Sequence, residues 1–387
     1  KDLAGVGVAF FLALGIRSHL VELGIIEREK APNLKQYMDL VALGTVADVM
    51  PVTGINRILI RAGLEVMNDQ PRPWVSALRQ LNGSHEGLWT SEDITFRLAP
   101  RINAPGRLGK PQVAFSLLTC DEPMQALELA GSVEAMNHER RQVENESLAF
   151  VSAECERLAE KGDQGLVVYG DFHPGVIGII ASRVVEQYHR PVFIMTDDSS
   201  EANRVKGSGR SVEGVTLYEV LEACADTIIQ FGGHRMAAGL TVTRENLPIF
   251  AQRFNEVISR KMTDRKVERE LIVDGCPQPE EILNEQFLSY YQNLEPFGNG
   301  NPEPIFLLEK SRVTNPGTVK NHLKYCLEVN GQTYRAIGFG LAEKMESINM
   351  AEPVHLAVKV RNSVFRGVKR TELHTVEVFQ PLEITEQ

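Results

Sequence analysis

The chain has 387 residues, of which 43% are hydrophobic and 24% charged, and its formal net charge is −10. That length allows two or three domains with a sizeable core, and the balance excludes a disordered chain and a uniformly basic nucleic-acid binder while leaving room for a local basic groove. The longest apolar run, residues 6–16, holds 11 residues with two glycines, against about 20 for a bilayer span, so no membrane association is expected. Cys120, Cys155, Cys224, Cys276 and Cys326 are scattered, odd in number and form no CxxC. Such usage argues against a disulfide scaffold or a zinc site and suits a reducing cytoplasm.

In chain order, Leu3 to Leu20 carries apolar groups at helical spacing directly after Lys1, as a domain entered in mid-core would, and a fragment of a longer protein is expected. Residues 1–120 read as helices and short loops, punctuated by Pro32, Pro51, Pro71, Pro73, Pro100 and Pro105. Asp121 offers an N-cap, and the Ala/Glu/Leu/Arg-rich stretch to Gly162 reads as one helix of about 60 Å bridging two domains. From Gly165 the grammar becomes strand–helix–strand: 166–169 and 192–195 as buried strands, 176–188 as the helix between, and 246–262 as a closing helix. After about Arg269 short strands dominate, with an Asn330-Gly331 hairpin signal, and a small barrel is expected.

Several residues stand out chemically. Asp48 ends the nearly apolar window 40–51; it suits a cap, a structural ion pair, or a ligand of Mg²⁺ or Mn²⁺, and one carboxylate alone does not make a hydrolytic metal site. Between Asp93 and Asp121 lie four basic residues and no acid, with Arg101 and Arg107 on a Pro/Gly-rich stretch expected as a loop. KGSGRS (206–211) and FGGHRMAAG (231–239) place glycines beside hydroxyls and fixed positive charge, which suggests a phosphate cradle; His234 fits either a phosphate contact or loop packing. Asp171 to Ile179 runs from a strand into a helix N-terminus, which favours anions or simply packs tightly at Gly178. Lys359, Arg361, Arg366, Lys369 and Arg370 surround Phe365 without an acid among them, a pattern that suits a single-strand groove or a solvated hairpin.

Seven stretches in order, LAGVGVAF, DLVALGTVADVMP, FRLAPRINAPGRLG, DFHPGVIGIIASR, KGSGRS, FGGHRMAAG and LEPFGNGNPEPIF, resemble the RecJ family of the DHH phosphoesterase superfamily. The resemblance implies an α/β multidomain fold. Residues 1–120 would be the C-terminal half of a DHH domain, 121–162 a connecting helix, 163–266 a DHH-associated domain, and 268–387 an OB-type β-barrel. It implies a single-strand-specific 5′→3′ DNA exonuclease of repair and recombination that releases 5′-mononucleotides with Mn²⁺ or Mg²⁺. Asp48 matches a metal ligand; Arg101 and Arg107 face substrate phosphates; Ser208 and Arg210 match a 5′-end pocket; Gly232, Gly233 and His234 match the GGH loop, with His234 as a catalytic candidate. Single-strand-binding protein and a helicase are expected partners. The Asp-His-His triplet that names the superfamily is absent from this sequence, so the 387 residues by themselves are expected to be inactive. A phosphodiesterase of short oligonucleotides or cyclic dinucleotides, or a silent single-strand-binding module, are the alternatives.

Overall fold

The computed structural model describes residues 2–81, 87–262, 271–365 and 368–381. The chain divides into two compact units, one of residues 1–99, 121–123 and 270–387, the other of 100–120 and 124–269. The junction expected at 266–268 lies outside the described residues.

The first unit begins with α1 (Gly5–Glu22), α2 (Met38–Ala47) and α3 (Gly54–Asp69). Met38, Val41 and Leu59 are its buried contacts, with Val6 and Phe10 of α1 laid against them. Here α2 and α3 approach so closely that a Cβ on Gly63 would stand 2.3 Å from the Met38 carbonyl oxygen. By length and composition α1 would suffice to cross a membrane, which the run-length reading did not anticipate. Gly7, Gly15 and Arg17 shorten the run without making the whole helix polar. One such helix is weak ground for a membrane protein, because helices packed in globular units pass the same test. Further on come α4 (Pro73–Leu81) and the single turn α5 (Ser91–Asp93), the latter closed by a Thr90–Asp93 capping box.

Residues 99–107 correct the loop expectation: they form α6 (Ala99–Arg107). Pro100 directly follows a π-helical turn, Ile94–Leu98, in which Ala99 N donates to the Ile94 carbonyl, and the helix ends before Gly109 at φ 74°. After α7 (Pro111–Thr119), α8 (Pro123–Glu160) runs unbroken for 38 residues, about 57 Å.

The second unit is built on a five-stranded sheet of β1 (Leu166–Tyr169), β2 (Val192–Asp197), β3 (Arg204–Arg210), β4 (Gln230–Gly233) and β5 (Ala237–Thr243). Their order is β1-β2-β3-β5-β4, and the β1–β2 pair is parallel while the rest are antiparallel. One face carries Val192 and Ile194 and is covered by α9 (Ile177–Tyr188) and by Val151 and Cys155 of α8. The opposite face carries Phe193 and Met195 and is covered by α10 (Leu217–Glu222) and α11 (Leu247–Met262). The KGSGRS segment, expected as part of a phosphate cradle, forms the central strand β3 and the residue after it. Its glycines replace side chains that would point into this core. A Cβ on Gly207 would stand 2.1 Å from Met195 Sδ, and one on Gly209 would stand 2.4 Å from Phe193 Cζ. Alternation then turns Lys206, Ser208 and Arg210 to the other face.

The remainder of the first unit holds α12 (Pro279–Ile282), α13 (Glu285–Gln292), α14 (Lys344–Ser347) and six strands: β6 (Phe306–Ser311), β7 (Val313–Val319), β8 (His322–Val329), β9 (Gln332–Phe339), β10 (Val354–Phe365) and β11 (Val368–Phe379). Their order is β6-β10-β11-β9-β8-β7. Asn330 and Gly331, both at positive φ (51° and 77°), make the expected β8–β9 hairpin turn. Among the described residues the outer strands β6 and β7 do not pair with each other, so this OB-type sheet is open where a closed barrel was expected.

Gly209→Ala should lower stability by about 1–3 kcal/mol, because Phe193 has no room to yield. Gly232→Ala, with no atom within 4 Å of the added carbon, should stay within about 0.5 kcal/mol. Chemical denaturation of the two variants checks this; equal midpoints would refute the packing account.

Candidate nucleic-acid interface

The chain leaving β1 turns sharply before α9. Phe172 N donates to Thr196 Oγ1 at 3.1 Å and Thr196 Oγ1 donates back to the Phe172 carbonyl at 2.8 Å, pinning the turn to β2. Gly175 N donates to His173 Nδ1 at 3.1 Å. At Gly175 the turn meets α6: a Cβ there would stand 2.1 Å from the Arg107 carbonyl oxygen, so glycine alone fits. Arg107 Nη1 in turn donates to the Gly175 carbonyl at 3.1 Å.

These contacts enclose a cavity of ≈ 490 Å³ lined by Asn103, Gly106, Arg107, Pro174, Gly175, Ile177, Gly178, Ser208 and Arg210. Its walls contain two arginines and no carboxylate. Arg210 Nη1 donates to the Gly209 carbonyl at 2.8 Å and lies 3.3 Å from Ser208 Oγ. Burial pushes the Arg210 guanidinium below its ordinary range, and the like charge of Arg107 adds to that. Ile177 and Gly178 of the first turn of α9 also line the cavity, and the positive dipole end of that helix favours an anion. A Cβ on Gly178 would lie 3.1 Å from Ser208 Oγ and 3.3 Å from Arg210 Nη2, filling the space between helix and strand. Sequence reasoning missed Asn103 and weighed Gly178 only as a packing contact. The intervening Gly209, expected to admit a phosphate, faces the core instead.

The other expected site residues are distributed as follows. Arg101 is bound to Glu134 of α8, its Nη2 donating at 3.2 Å, and so ties α6 to α8. Buried nearby on α8, Arg140 donates to Glu144 at 2.7 Å and to Asn137 at 3.0 Å, and Arg183 of α9 lies 2.7 Å from the same Glu144. His234 is exposed in the turn joining β4 to β5, closed by its N–H donating to the Ala237 carbonyl at 2.8 Å. Gly233 is required there, since a Cβ would lie 2.5 Å from that same carbonyl oxygen, whereas Gly232 faces open space.

Asp48 caps the C-terminus of α2 and is exposed, so no desolvation calls for a partner. The buried acid of this region is Asp39. Its carboxylate accepts from Arg72 Nε at 2.7 Å and Trp74 Nε1 at 2.9 Å. Among the described residues no three His, Cys, Asp or Glu gather as a metal site would require. Asp48 is therefore one carboxylate, short by itself of a divalent-ion site.

Of the basic stretch 359–370, Arg361 is bound by Glu303, with Nε donating at 3.0 Å and Nη2 at 2.6 Å, and also by Glu92. Lys359 lies 3.4 Å from Glu303. Burial lowers the Arg361 guanidinium, but the two carboxylates outweigh it and hold the group well above its ordinary range. These two cations are thus neutralised in place rather than presented to phosphates. Phe365, Lys369 and Arg370 lie on the paired strands β10 and β11, and Arg366 lies outside the described residues.

A five-stranded α/β unit with an arginine-lined cavity is joined in one chain to an OB-type sheet. Residues 162–260 match the DHHA1 domain model and 273–377 the RecJ OB domain model. The single-stranded-DNA-specific exonuclease RecJ of Haemophilus influenzae is 34% identical over 99% of this chain and 68% of its own length, and that of Escherichia coli 34% over 96% and 66%. The crystal structure of Thermus thermophilus RecJ with Mg²⁺ superposes with a TM-score of 0.79 at 29% identity, covering 98% of this chain and 56% of that one. The chain belongs to the RecJ family and spans about two thirds of the length of the first two relatives.

Replacing Glu303 by Gln should cost about 1–3 kcal/mol, the range for a partly buried cation left without its partner. A double-mutant cycle with Arg361→Met should show a coupling of about 0.5–3 kcal/mol. Additive effects in denaturation would mean that the two side chains are independent.

Proposed function

We propose that this chain is the strand-gripping part of a 5′→3′ exonuclease on single-stranded DNA, one that depends on Mn²⁺ or Mg²⁺ and releases 5′-mononucleotides. The observation that carries the reading is the convergence of Arg107, Arg210, Ser208 and the α9 N-terminus on one carboxylate-free cavity.

A terminal phosphomonoester carries about −1.5 to −2 charge at pH 7, whereas an internal diester carries about −1. Two guanidinium groups and a helix N-terminus therefore favour the end of a strand over its interior. In this reading Arg210 and Arg107 bind the terminal oxygens, Ser208 adds a hydroxyl, and Gly178 leaves the space they occupy. Arg101, held by Glu134, positions α6 so that Arg107 reaches the cavity. His234 and Gly232 meet the sugar–phosphate backbone, with His234 able to hold or pass a proton. Asp48 contributes one carboxylate to a metal centre whose other ligands are not among these residues. Phe365, Arg366, Lys369 and Arg370 add contacts to a longer strand. We further place the protein in the cytoplasm, with single-strand-binding protein and a helicase as partners; the five cysteines are free thiols.

Arg210→Ala should weaken binding of 5′-phosphorylated single strands about 10- to 150-fold, the value of a charge-assisted contact of about 1.5–3 kcal/mol. Strands ending in a 5′-hydroxyl should change by less than about threefold. The preference for a phosphorylated end should shrink below about pH 6, as the monoester dianion is protonated to the monoanion. Fluorescence anisotropy with end-defined strands, and digestion assays in a chain of full family length, provide the readouts. Equal losses on both kinds of end would make Arg210 a general backbone clamp, and cleavage confined to dinucleotides would overturn the exonuclease reading.

A further inference from the structure

Helix α2 ends in a Schellman turn with an unusual residue in it. Met50 N donates to the Thr45 carbonyl at 3.2 Å and Val49 N to the Val46 carbonyl at 3.0 Å, the paired bonds of that motif. Asp48 is the C-cap, and the next position takes the left-handed backbone that glycine or asparagine ordinarily supplies. Here it is a valine at φ 55°, a β-branched residue for which that region is a genuine outlier. The valine gains little packing in return, being 67% exposed. Backbone held in this way persists only where its surroundings over-determine it.

Those surroundings come from 250 positions further along the chain, within the same compact unit. Of the stretch LEPFGNGNPEPIF (294–306), Glu303 binds Arg361, and the loop ahead of it lies against residues 49–53. Asn299 Nδ2 donates to the Val49 carbonyl at 2.9 Å, and Val52 N donates to the Asn299 carbonyl at 2.6 Å. One residue thus grips the chain on both sides of Met50. The fit is close, since a Cβ on Gly298 would stand 2.6 Å from Val52 Cγ2. The loop is itself firmly built: Gly298 and Asn301 exchange backbone bonds at 2.9 and 3.0 Å, and Asn301 Nδ2 donates to the Leu294 and Pro296 carbonyls at 2.9 Å each. Arg57 Nη2 anchors it to α3 through the Asn293 and Glu295 carbonyls at 2.8 and 2.9 Å, and Ser91 Oγ donates to the Phe297 carbonyl at 2.7 Å. Asp48 takes no part in these bonds. Its carboxylate is exposed and forms no hydrogen bond or ion pair with the described residues. It stands at the negative end of α2, whose last turn holds no basic residue. A carboxylate so placed faces like polarity, which a cation would relieve, and its hard oxygens suit Mn²⁺ or Mg²⁺.

We propose that the loop 295–301 is a clamp for Asp48, with Asn299 as a positioning residue: by holding Val49 in the left-handed region, it fixes the direction in which the Asp48 carboxylate is presented to a divalent cation. The proposal rests on the reading of Asp48 as one carboxylate of a metal centre. It adds that a side chain which touches no cation sets that carboxylate's aim.

The test uses a chain of full family length, with Mn²⁺ alone as the probe and free Mn²⁺ followed by electron paramagnetic resonance. Asn299→Ala should weaken Mn²⁺ binding about 3- to 30-fold, overlapping the roughly 10- to 100-fold typical of groups bonded directly to a metal ligand. Asn299 is exposed, so its truncation opens no core cavity. Asparagine tolerates the left-handed region far better than valine, so adding Val49→Asn to Asn299→Ala should bring the affinity back to within about threefold of the parent. A merely structural loop contact would not be rescued by a change of backbone preference. Hydrogen exchange at the Met50 and Val52 amides should rise in Asn299→Ala. Asn299→Leu, of similar size and without the donor, serves in its place should the alanine variant melt early. If Asn299→Ala stays within about twofold while Asp48→Ala weakens Mn²⁺ more than about tenfold, the clamp is overturned and the metal reading stands. If Asp48→Ala leaves Mn²⁺ binding unchanged, the metal reading is overturned and the clamp with it. Loss in Asn299→Ala without recovery in the double variant would overturn the role given to Val49.

Discussion

A guanidinium withdrawn from water beside a second guanidinium is held at a cost until an anion arrives. Arg210 is in that position, its ordinary range lowered by burial first and by Arg107 second. Nothing in the cavity wall neutralises the pair. The fold maintains this arrangement by rigid means. The Gly175 turn seats the end of α6, Thr196 pins the loop to the sheet, and β3 presents Ser208 and Arg210 on one face. Removal of any of these supports would let the arginines move apart into water and weaken the positive local field in the cavity.

The two faces of β3 divide structure from function. On one side Gly207 and Gly209 leave room for Met195 and Phe193, whose aromatic partners Phe250 and Phe254 fill the core. On the other side Ser208 and Arg210 meet α9. A strand with ordinary side chains on the core face would be pushed away from β2, and the polar face would no longer line up with the helix N-terminus. Packing density within the unit therefore sets the geometry of the arginine-lined cavity.

Much of the architecture was legible from period alone. The strands 166–169 and 192–197, the helix ending at Tyr188 and the Asn330-Gly331 hairpin all carry side chains that report which face is buried. The missed elements share a physical cause. In β3 the core-facing positions are glycines, so the alternation that marks a strand is erased. In α6 two prolines and a glycine imitate a loop, although the helix enters from a π-helical turn before Pro100 and continues through Pro105. The site was legible in its parts: Ser208, Arg210 and Arg107 meet as the motifs suggested. What spacing could not reveal is which cations keep their charge available. Arg361 meets Glu92 across 269 positions of sequence, and Arg101 meets Glu134 across 33.

That selective pairing explains how a chain with ten more acids than bases can handle a polyanion. Distributed at random, the excess carboxylates would oppose nucleic acid everywhere. Here several of them lie against particular cations: Glu134 on Arg101, Glu144 between Arg140 and Arg183, Glu303 and Glu92 on Arg361. Those arginines become structural ties, and positive potential survives where no carboxylate has been placed. The cavity around Arg107 and Arg210 is such a place, because its neighbours are backbone, a hydroxyl and a helix N-terminus. Field strength at a phosphate falls off within about 8–10 Å in physiological salt, so the acids elsewhere are screened while the two arginines are not. Local charge, rather than net charge, therefore decides where an anion is favoured on this chain.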